Sequence, residues 1–275
     1  MSFSVVTNIS SITAQYMLSN ARANVNQALH QLTSGSRINS SADDAAGLAR
    51  ANRYRLDNTT HTVGVRNAND AGSQLQVEDG ALNNISSLMD RATTLAAQAA
   101  SDTFTGDRAI LNEEFQSVMA EISRTASAAG LETGGASLDA RKVFVGNTQT
   151  NTSDSVSYVS IAANGSVDAQ GLGLDTQDIM SQEGAAAAIA SLQNASGTLG
   201  TVQARTGAAM NRMSSAASQS QRISASLQAS ESRIRDADIA EAIAELTKNR
   251  ILTDSGLAAL SYANLSSESV LKVVG

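Results

Sequence analysis

Residues 18–32 read LSNARANVNQALHQL, and the spacing of the apolar side chains in this stretch decides the fold class. The apolar residues follow one another at alternating steps of three and four, as in a helix that buries one narrow face against a partner helix. They are Leu18, Ala21, Val25, Ala28 and Leu32. Gly35 follows, and we expect it to end the helix in the left-handed conformation that glycine adopts readily. The sequence therefore predicts a coiled-coil helix near the N-terminus.

The same spacing recurs along most of the chain. Upstream it continues on a shifted face, through Val5, Ile9, Ile12 and Tyr16. Before the middle of the chain it recurs at Leu75, Leu82, Ile85, Met89, Ala92, Ala96 and Ala99, and again at Leu111, Phe115, Val118 and Ile122. After Gly184 a long helical pattern runs to the C-terminal end. The 275 residues include no proline, which permits unusually long helices. This arrangement favours antiparallel pairing of the two chain ends.

The middle of the chain has a different pattern. Between Val143 and about Asp175 the helical spacing disappears, and Val156 and Tyr158 belong to a run rich in strand-forming residues. Asn164-Gly165 is a strong signal for a tight hairpin turn. We therefore expect a small β-hairpin element at about 143–175. The predicted fold is mainly α, with long antiparallel coiled-coil helices from both chain ends.

The two terminal segments, residues 1–34 and 236–275, are amphipathic but carry few large apolar side chains. A single helix pair of this kind buries little surface and is marginally stable in water. We therefore expect neighbouring copies of the chain to cover the apolar stripes, so that the ends become ordered on assembly. The predicted assembly seams consist of Ile9, Ile12, Leu18, Val25, Leu32, Ile239, Ile243, Leu246, Leu257 and Leu260.

Composition argues against several classes of function. The 19 Lys and Arg residues are outnumbered by 26 Asp and Glu, for a net charge of −7. Nucleic acid is therefore not expected as a partner, because phosphate binding needs clustered basic side chains. With no Cys and two His, the chain lacks the usual ligands of transition metals, so we expect no metal and no cofactor. No apolar run of about 18 residues occurs, so no membrane span is expected.

Catalytic motifs and targeting signals are also missing from the sequence. There is no Gly-x-Ser-x-Gly elbow, and neither Gly134-Gly135 nor the glycines at 171 and 173 have the spacing of a phosphate loop. We therefore expect no enzyme activity. The first eleven residues lack the basic start and apolar core of a cleaved secretory signal. The expectation is a structural protein that is cytosolic, or exported without such a signal.

Four motifs give the chain a resemblance to the bacterial flagellins. Residues 31–53, QLTSGSRINSSADDAAGLARANR, resemble the N-terminal signature of that family, and so do residues 66–71, RNANDA. Residues 232–238, SRIRDAD, look like the C-terminal signature, and residues 267–272, SESVLK, resemble the closing helix. The resemblance spans roughly 1–140 and 185–275, in the order that the family has.

The resemblance implies a short flagellin without the large variable outer domains. Its inner-core domain would comprise 1–42 and 235–275, and its outer-core domain 43–234, with the β element at about 143–175. Such a chain polymerises with copies of itself into the helical, extracellular filament that drives swimming. The family also implies an export chaperone, the flagellar export apparatus, a filament cap and hook-junction proteins as partners.

The family's epitope for a host innate-immune receptor is similar to the segment around residues 89–98. Arg91, Leu95 and Glu114 match the positions that count, whereas Thr93 and Thr94 replace a charged pair. Arg91 and Leu95 are alternatively expected to serve assembly by facing a neighbouring subunit. Two further departures from the family pattern are Ala42, where Lys is frequent, and Asp254, in a tail that is usually uncharged.

Two other interpretations remain open at this stage. One is a hook–filament junction protein, whose ends can resemble those of a flagellin. The other is a soluble coiled-coil signalling or adaptor protein, which the helical pattern alone would also fit.

Overall fold

The structure is a computed structural model that describes residues 7–102, 106–135, 140–147, 156–161 and 165–274. In this part of the chain the elements are α1 (Ile9–Ser34), α2 (Ala45–Ala100), α3 (Arg108–Ala128), β1 (Arg141–Asn147), β2 (Val156–Ile161), α4 (Gln182–Arg235) and α5 (Ile239–Val274). The predicted fold, mainly helical with a small β element in the middle, is confirmed.

The chain forms two compact units. Unit 1 combines both chain ends, Met1–Leu56 and Ser226–Gly275, and unit 2 is the intervening Asp57–Ala225. The long helices α2 and α4 each contribute residues to both units. The division into an inner-core domain of 1–42 and 235–275 and an outer-core domain of 43–234 stays a prediction about the assembled protein.

In unit 1, α1 and α5 pack against each other in antiparallel fashion. The Nδ2 atom of Asn8, at the start of α1, donates to the carbonyl oxygen of Ala263, 2.8 Å away. Further along α1, Leu18 packs beside Gly256. Gly35 ends α1 with a φ of +68°, as its sequence position predicted. As the residue numbers along α1 increase, the residue numbers of their contact partners on α5 decrease. The two chain ends therefore form the expected antiparallel pair.

A short backbone bridge fixes the base of this pair. The N–H of Ala237 donates to the carbonyl oxygen of Gly35 at 3.0 Å, and the N–H of Arg37 donates to that of Arg235 at 2.7 Å. Ser36 and Asp236 form the isolated antiparallel β-bridge between these bonds. The two chain segments are thereby held side by side where they leave α1 and enter α5.

Helix α2 begins with an aspartate cap. The Oδ1 atom of Asp44 accepts the N–H of Gly47 at 2.8 Å, which satisfies a donor in the first turn. The carboxylate of Asp43 accepts backbone N–H groups of Ser40 and Asn39, which lower its pKa. The Asp pair thus organises the turn before the helix and its first donors.

The main core of unit 2 lies where α3 packs against α2 and α4. Its largest fully buried side chains include Leu82, Ile85 and Leu95 from α2, Phe115 and Ile122 from α3, and Leu192 from α4. The segment 165–181 is not helical, and Val167, Leu174 and Ile179 close the core from that side.

The two strands form an antiparallel hairpin that packs on α2 and α4 within unit 2. Arg141 pairs with Ile161 and Asn147 with Val156, with a bulge at Val145. Val145 packs with Ala68 of α2 and Ala217 of α4. The hairpin is therefore the predicted β element. The expected turn at Asn164-Gly165 stays a prediction, because Asn164 lies outside the described residues; β2 ends before it, at Ile161.

Specific contacts hold β1 against the helices. The Oγ atom of Ser220 donates to the carbonyl oxygen of Val145 at 2.6 Å, and the Nδ2 atom of Asn67 donates to that of Phe144 at 3.2 Å. At the start of β1, Arg141 forms a 2.6 Å ion pair with Glu78, whose side chain is 1% exposed. These bonds compensate the polar groups that packing the hairpin removes from water.

Candidate functional site

Half of the predicted seam residues lie on the inner faces of α1 and α5, where the two helices pack together. Leu18 is buried, whereas Val25, Leu32, Leu246 and Leu260 are half-buried. They share this interface with small residues such as Ala21, Ala28 and Ala242, which are buried. These predicted positions therefore stabilise the helix pair inside one chain.

The other half of the predicted seams lies exposed. Ile9 is 69% exposed and Ile12 56%, and on α5 Ile239, Ile243 and Leu257 are 46%, 51% and 43% exposed. Large apolar side chains left in water favour burial against another surface. Among the described residues these side chains are covered far less than those of the core, so they remain available to a partner.

Sequence reasoning left several residues of this exposed set out of the predicted seams. Tyr16, Met17 and Leu29 on α1 and Ile251, Leu252, Tyr262 and Leu265 on α5 are all exposed. They could have been identified from the sequence as large apolar residues that lie outside the inner face of each helix. Together with Ile9, Ile12, Ile239, Ile243 and Leu257, we call them the outer apolar face of unit 1.

Charge is sparse at one end of this face, whereas Asp238, Glu241 and Glu245 flank Ile239 and Ile243 in the sequence at the start of α5. The first 21 residues contain no Asp, Glu, Lys or Arg, and Arg22 is the first charged residue of the chain. On α5, residues 255–267 are also free of these four residue types. Because Asn8 contacts Ala263 and Leu18 contacts Gly256, the two uncharged stretches lie side by side. Asp254 borders them and is exposed.

The proposed receptor epitope is only partly accessible. Arg91 on α2 and Glu114 on α3 form an exposed ion pair, with side chains 55% and 43% exposed. Leu95, however, is 1% exposed and belongs to the core of unit 2. Leu95 and Ala92 both belong to a buried cluster that includes residues of α3 and α4, so the buried arc of α2 includes both side chains. The expectation that the Leu95 side chain faces another molecule is therefore wrong.

The two threonines in this segment bond within their own helix. The Oγ1 of Thr93 donates to the carbonyl oxygen of Met89 at 2.8 Å, and the Oγ1 of Thr94 donates to the carbonyl oxygen of Asp90 at 3.0 Å. Neither side chain contributes a charge beside the Arg91–Glu114 pair.

Among the described residues, no three His, Asp or Glu side chains are grouped so that they could hold a metal ion. None of the helices in the described ranges is long and apolar enough to cross a membrane.

Comparison with known proteins matches both ends of the chain to one family. Residues 5–133 match the family model for the bacterial flagellin N-terminal helical region, and residues 183–274 match that for the C-terminal helical region. Flagellin FlaB1 of Treponema pallidum is 30% identical, with 97% of this chain and 98% of the relative covered. The flagellar filament 33 kDa core protein of Treponema phagedenis is 33% identical with the same coverage.

Two further relatives have similar names. A flagellin of Halalkalibacterium halodurans is 31% identical over 93% of this chain and 94% of its own length. Among solved structures, the crystal structure of Bacillus cereus flagellin aligns with 56% of this chain and 88% of its own, at 24% identity and a TM-score of 0.46.

Proposed function

The chain belongs to the bacterial flagellin family and is a structural subunit of the flagellar filament, and on that premise we propose that the outer apolar face of unit 1 is the surface through which successive copies assemble. A face of one copy that binds a different face of the next makes a contact that does not close on itself. Such a contact propagates into a helical polymer.

The observation that carries this proposal is the exposure of the outer apolar face. Ile9, Tyr16 and Tyr262 are 69%, 70% and 78% exposed in the single chain. Burying one large apolar side chain is worth about 1.5–3 kcal/mol. A face with several such residues on two helices therefore supplies a strong driving force for association.

The distribution of charge supports the same surface. A charged side chain costs free energy when it is buried without a partner. The adjoining stretches of α1 before Arg22 and of α5 at 255–267 lack charged side chains, so neighbouring copies can surround them without that cost. Asp254 borders these stretches, and the charged residues between 238 and 250 lie among the other apolar positions of the face, so in the polymer these side chains need partners or water.

The remaining roles rest on the resemblance to the family. We infer an extracellular location, reached without a cleaved signal, and contacts with an export chaperone, the export apparatus, the filament cap and hook-junction proteins. For a host innate-immune receptor, the exposed Arg91–Glu114 pair is the proposed contact. Flagellins are structural proteins, and we infer no catalytic role. The names of the relatives favour a filament subunit over a hook-junction protein or an adaptor.

Polymerisation of purified variants tests the assembly surface. Ile12→Ser and Ile243→Ser each remove one large exposed apolar side chain, and Gln15→Ser is a matched control at an exposed polar position of α1. We expect each isoleucine variant to raise the critical concentration for filament growth by about tenfold, and the control to leave it unchanged. Filaments that grow at the parental critical concentration from both isoleucine variants would refute this surface.

A folding measurement keeps the result specific. Both isoleucines belong to unit 1, so the unfolding of unit 2, followed by circular dichroism, should be the same in the variants and the parent. A loss of helical signal from unit 2 would show that the substitutions act on folding and not on the assembly surface.

A further inference from the structure

Asn249 is a buried polar residue in the otherwise small and apolar interface between α1 and α5. Its side chain is 3% exposed. Its Nδ2 atom donates to the carbonyl oxygen of Glu245 at 2.8 Å and to Oε2 of the same residue at 3.0 Å. Its Oδ1 atom accepts from Nδ2 of Asn24 across the interface, at 3.4 Å. The contact with Asn24 is therefore the part of this network that joins the two helices.

The apolar pattern alone does not specify how the helices align. Both inner faces repeat with the seven-residue period of a coiled coil, so sliding one helix by seven residues again places inner face against inner face. In the observed alignment Leu18 lies beside Gly256. After a slide in one direction Leu18 would lie beside Ala263, which is also small. Large-against-small packing is thus retained at this position, although the slide would break the backbone bridge at Ser36 and Asp236.

Asn249 distinguishes the observed alignment from a slide in one of the two directions. The antiparallel pairing that brings Leu18 to Gly256 places Asn249 at the level of Asn24 and Val25. A slide of seven residues moves the helix by about 10 Å and sets Asn249 against Leu18 in one direction and Leu32 in the other. Beside Leu32, the amide of Gln31 takes the place of that of Asn24; beside Leu18, Met17 takes that place, so the Oδ1 atom of Asn249 loses its donor. A buried acceptor without a partner is costly.

We propose that Asn249, through its contact with Asn24, is the residue that specifies the alignment of α1 on α5. A single buried asparagine at an inner position of a coiled coil can select one register at some cost in stability. The inference concerns pairing inside one chain, so it does not depend on the assembly surface proposed above.

Disulfide trapping in the full chain measures which alignment is present. The protein has no cysteine of its own, so the disulfide forms only between the two introduced residues. A Cβ atom on Gly256 would lie 3.6 Å from Cβ of Leu18, which suits a disulfide. Leu18→Cys with Gly256→Cys therefore reports the observed alignment. Leu18→Cys with Ala263→Cys reports the slide in one direction, and Val25→Cys with Ala242→Cys reports the slide in the other.

Each pair is refolded from denaturant, allowed to assemble and then mildly oxidised, in the parent and in three backgrounds, because the chain ends are expected to become ordered on assembly. Asn249→Leu removes the amide and keeps an apolar side chain. Asn24→Ala removes the donor at an exposed position. It therefore tests the same contact even if the Asn249→Leu chain fails to fold. Thr253→Val is the matched control, because Thr253 is also half-buried in the interface but its hydroxyl bonds to the backbone of its own helix.

We expect the parent and the Thr253→Val chain to form the disulfide of the observed alignment almost exclusively. In the Asn249→Leu background at least one of the slid pairs should rise about tenfold, and in the Asn24→Ala background by a smaller factor. Unchanged trapping in both asparagine variants would overturn the proposal and assign the alignment to the backbone bridge at Ser36 and Asp236. Failure of the Leu18–Gly256 pair in the parent would overturn it as well.

Discussion

A Cβ atom on Gly64 would lie 2.2 Å from the carbonyl oxygen of Val145. The backbone of α2 and the bulge of β1 therefore touch at a point where no other side chain fits. The same carbonyl oxygen accepts the hydroxyl of Ser220 from α4. The bulge is thus held between two helices of unit 2, and glycine is required at position 64 by close approach and not by an unusual φ.

Replacing Gly64 by alanine should destabilise unit 2. The new methyl group can only be accommodated if β1 moves, so we expect the free energy of unfolding to fall by about 1–3 kcal/mol. Gly72→Ala is the matched control on the same helix, because nothing lies within 4 Å of a Cβ atom at Gly72. It should raise the free energy of unfolding by about 0.5–1 kcal/mol. Urea denaturation measures both, and effects of equal sign and size would contradict the close approach.

The buried imidazole of His61 should make unit 2 sensitive to acid. Burial lowers the pKa of His61 below its usual value of 6.5, outweighing the nearby carboxylate of Asp57 and a hydrogen bond with the backbone of Asn147, both of which raise it. In the unfolded chain this histidine binds a proton near pH 6.5, whereas in the folded chain it does so only at lower pH. The stabilisation is therefore complete above pH 6.5 and is lost as the pH falls below it.

Thermal unfolding of His61→Gln between pH 7.5 and 5 tests this expectation. The glutamine does not titrate, so the variant should lose less stability than the parent over that interval. His30→Gln is the control, because His30 is exposed on α1. If the curves of the parent and His61→Gln stay parallel below pH 6.5, the buried histidine is not the source of acid sensitivity.

A buried ion pair and an exposed ion pair of unit 2 should differ in their effect on stability. Glu78→Gln leaves the guanidinium of Arg141 without a charged partner in a largely buried place, and we expect a loss of about 1–3 kcal/mol in the free energy of unfolding. Glu121→Gln breaks the exposed pair with Arg124, whose side chain is 69% exposed, and should cost much less, because water screens an exposed ion pair. Chemical denaturation compares them, and a larger loss from Glu121→Gln would contradict the burial argument.

The features that depend on local sequence were predicted well. Gly35 ends α1, the strand-rich run at 156–161 is β2, and the spacing from Leu18 to Leu32 marks the face that α5 covers. Each follows from the conformational preference or the periodicity of a few neighbouring residues, which the sequence contains in full.

The features that depend on a third element were missed. Leu95 was expected to face a partner, but α3 and α4 together bury it. Ile12 and Leu18 were placed in one set of seams, although one is exposed and the other is buried by α5. Periodicity identifies which apolar side chains share a helix face. It does not identify the element that covers that face, because that element comes from a distant part of the chain.

The hydrogen bond between Asn8 and Ala263 joins residues 255 positions apart, so unit 1 can form only after both of its segments have been synthesised. Roughly 200 residues are synthesised between the end of α1 and the start of α5, which takes about 10–40 s at typical translation rates. During that time α1 has no partner helix. A chain that terminates early anywhere along this path never covers the inner face of α1, and it cannot present both halves of the surface that its neighbours require.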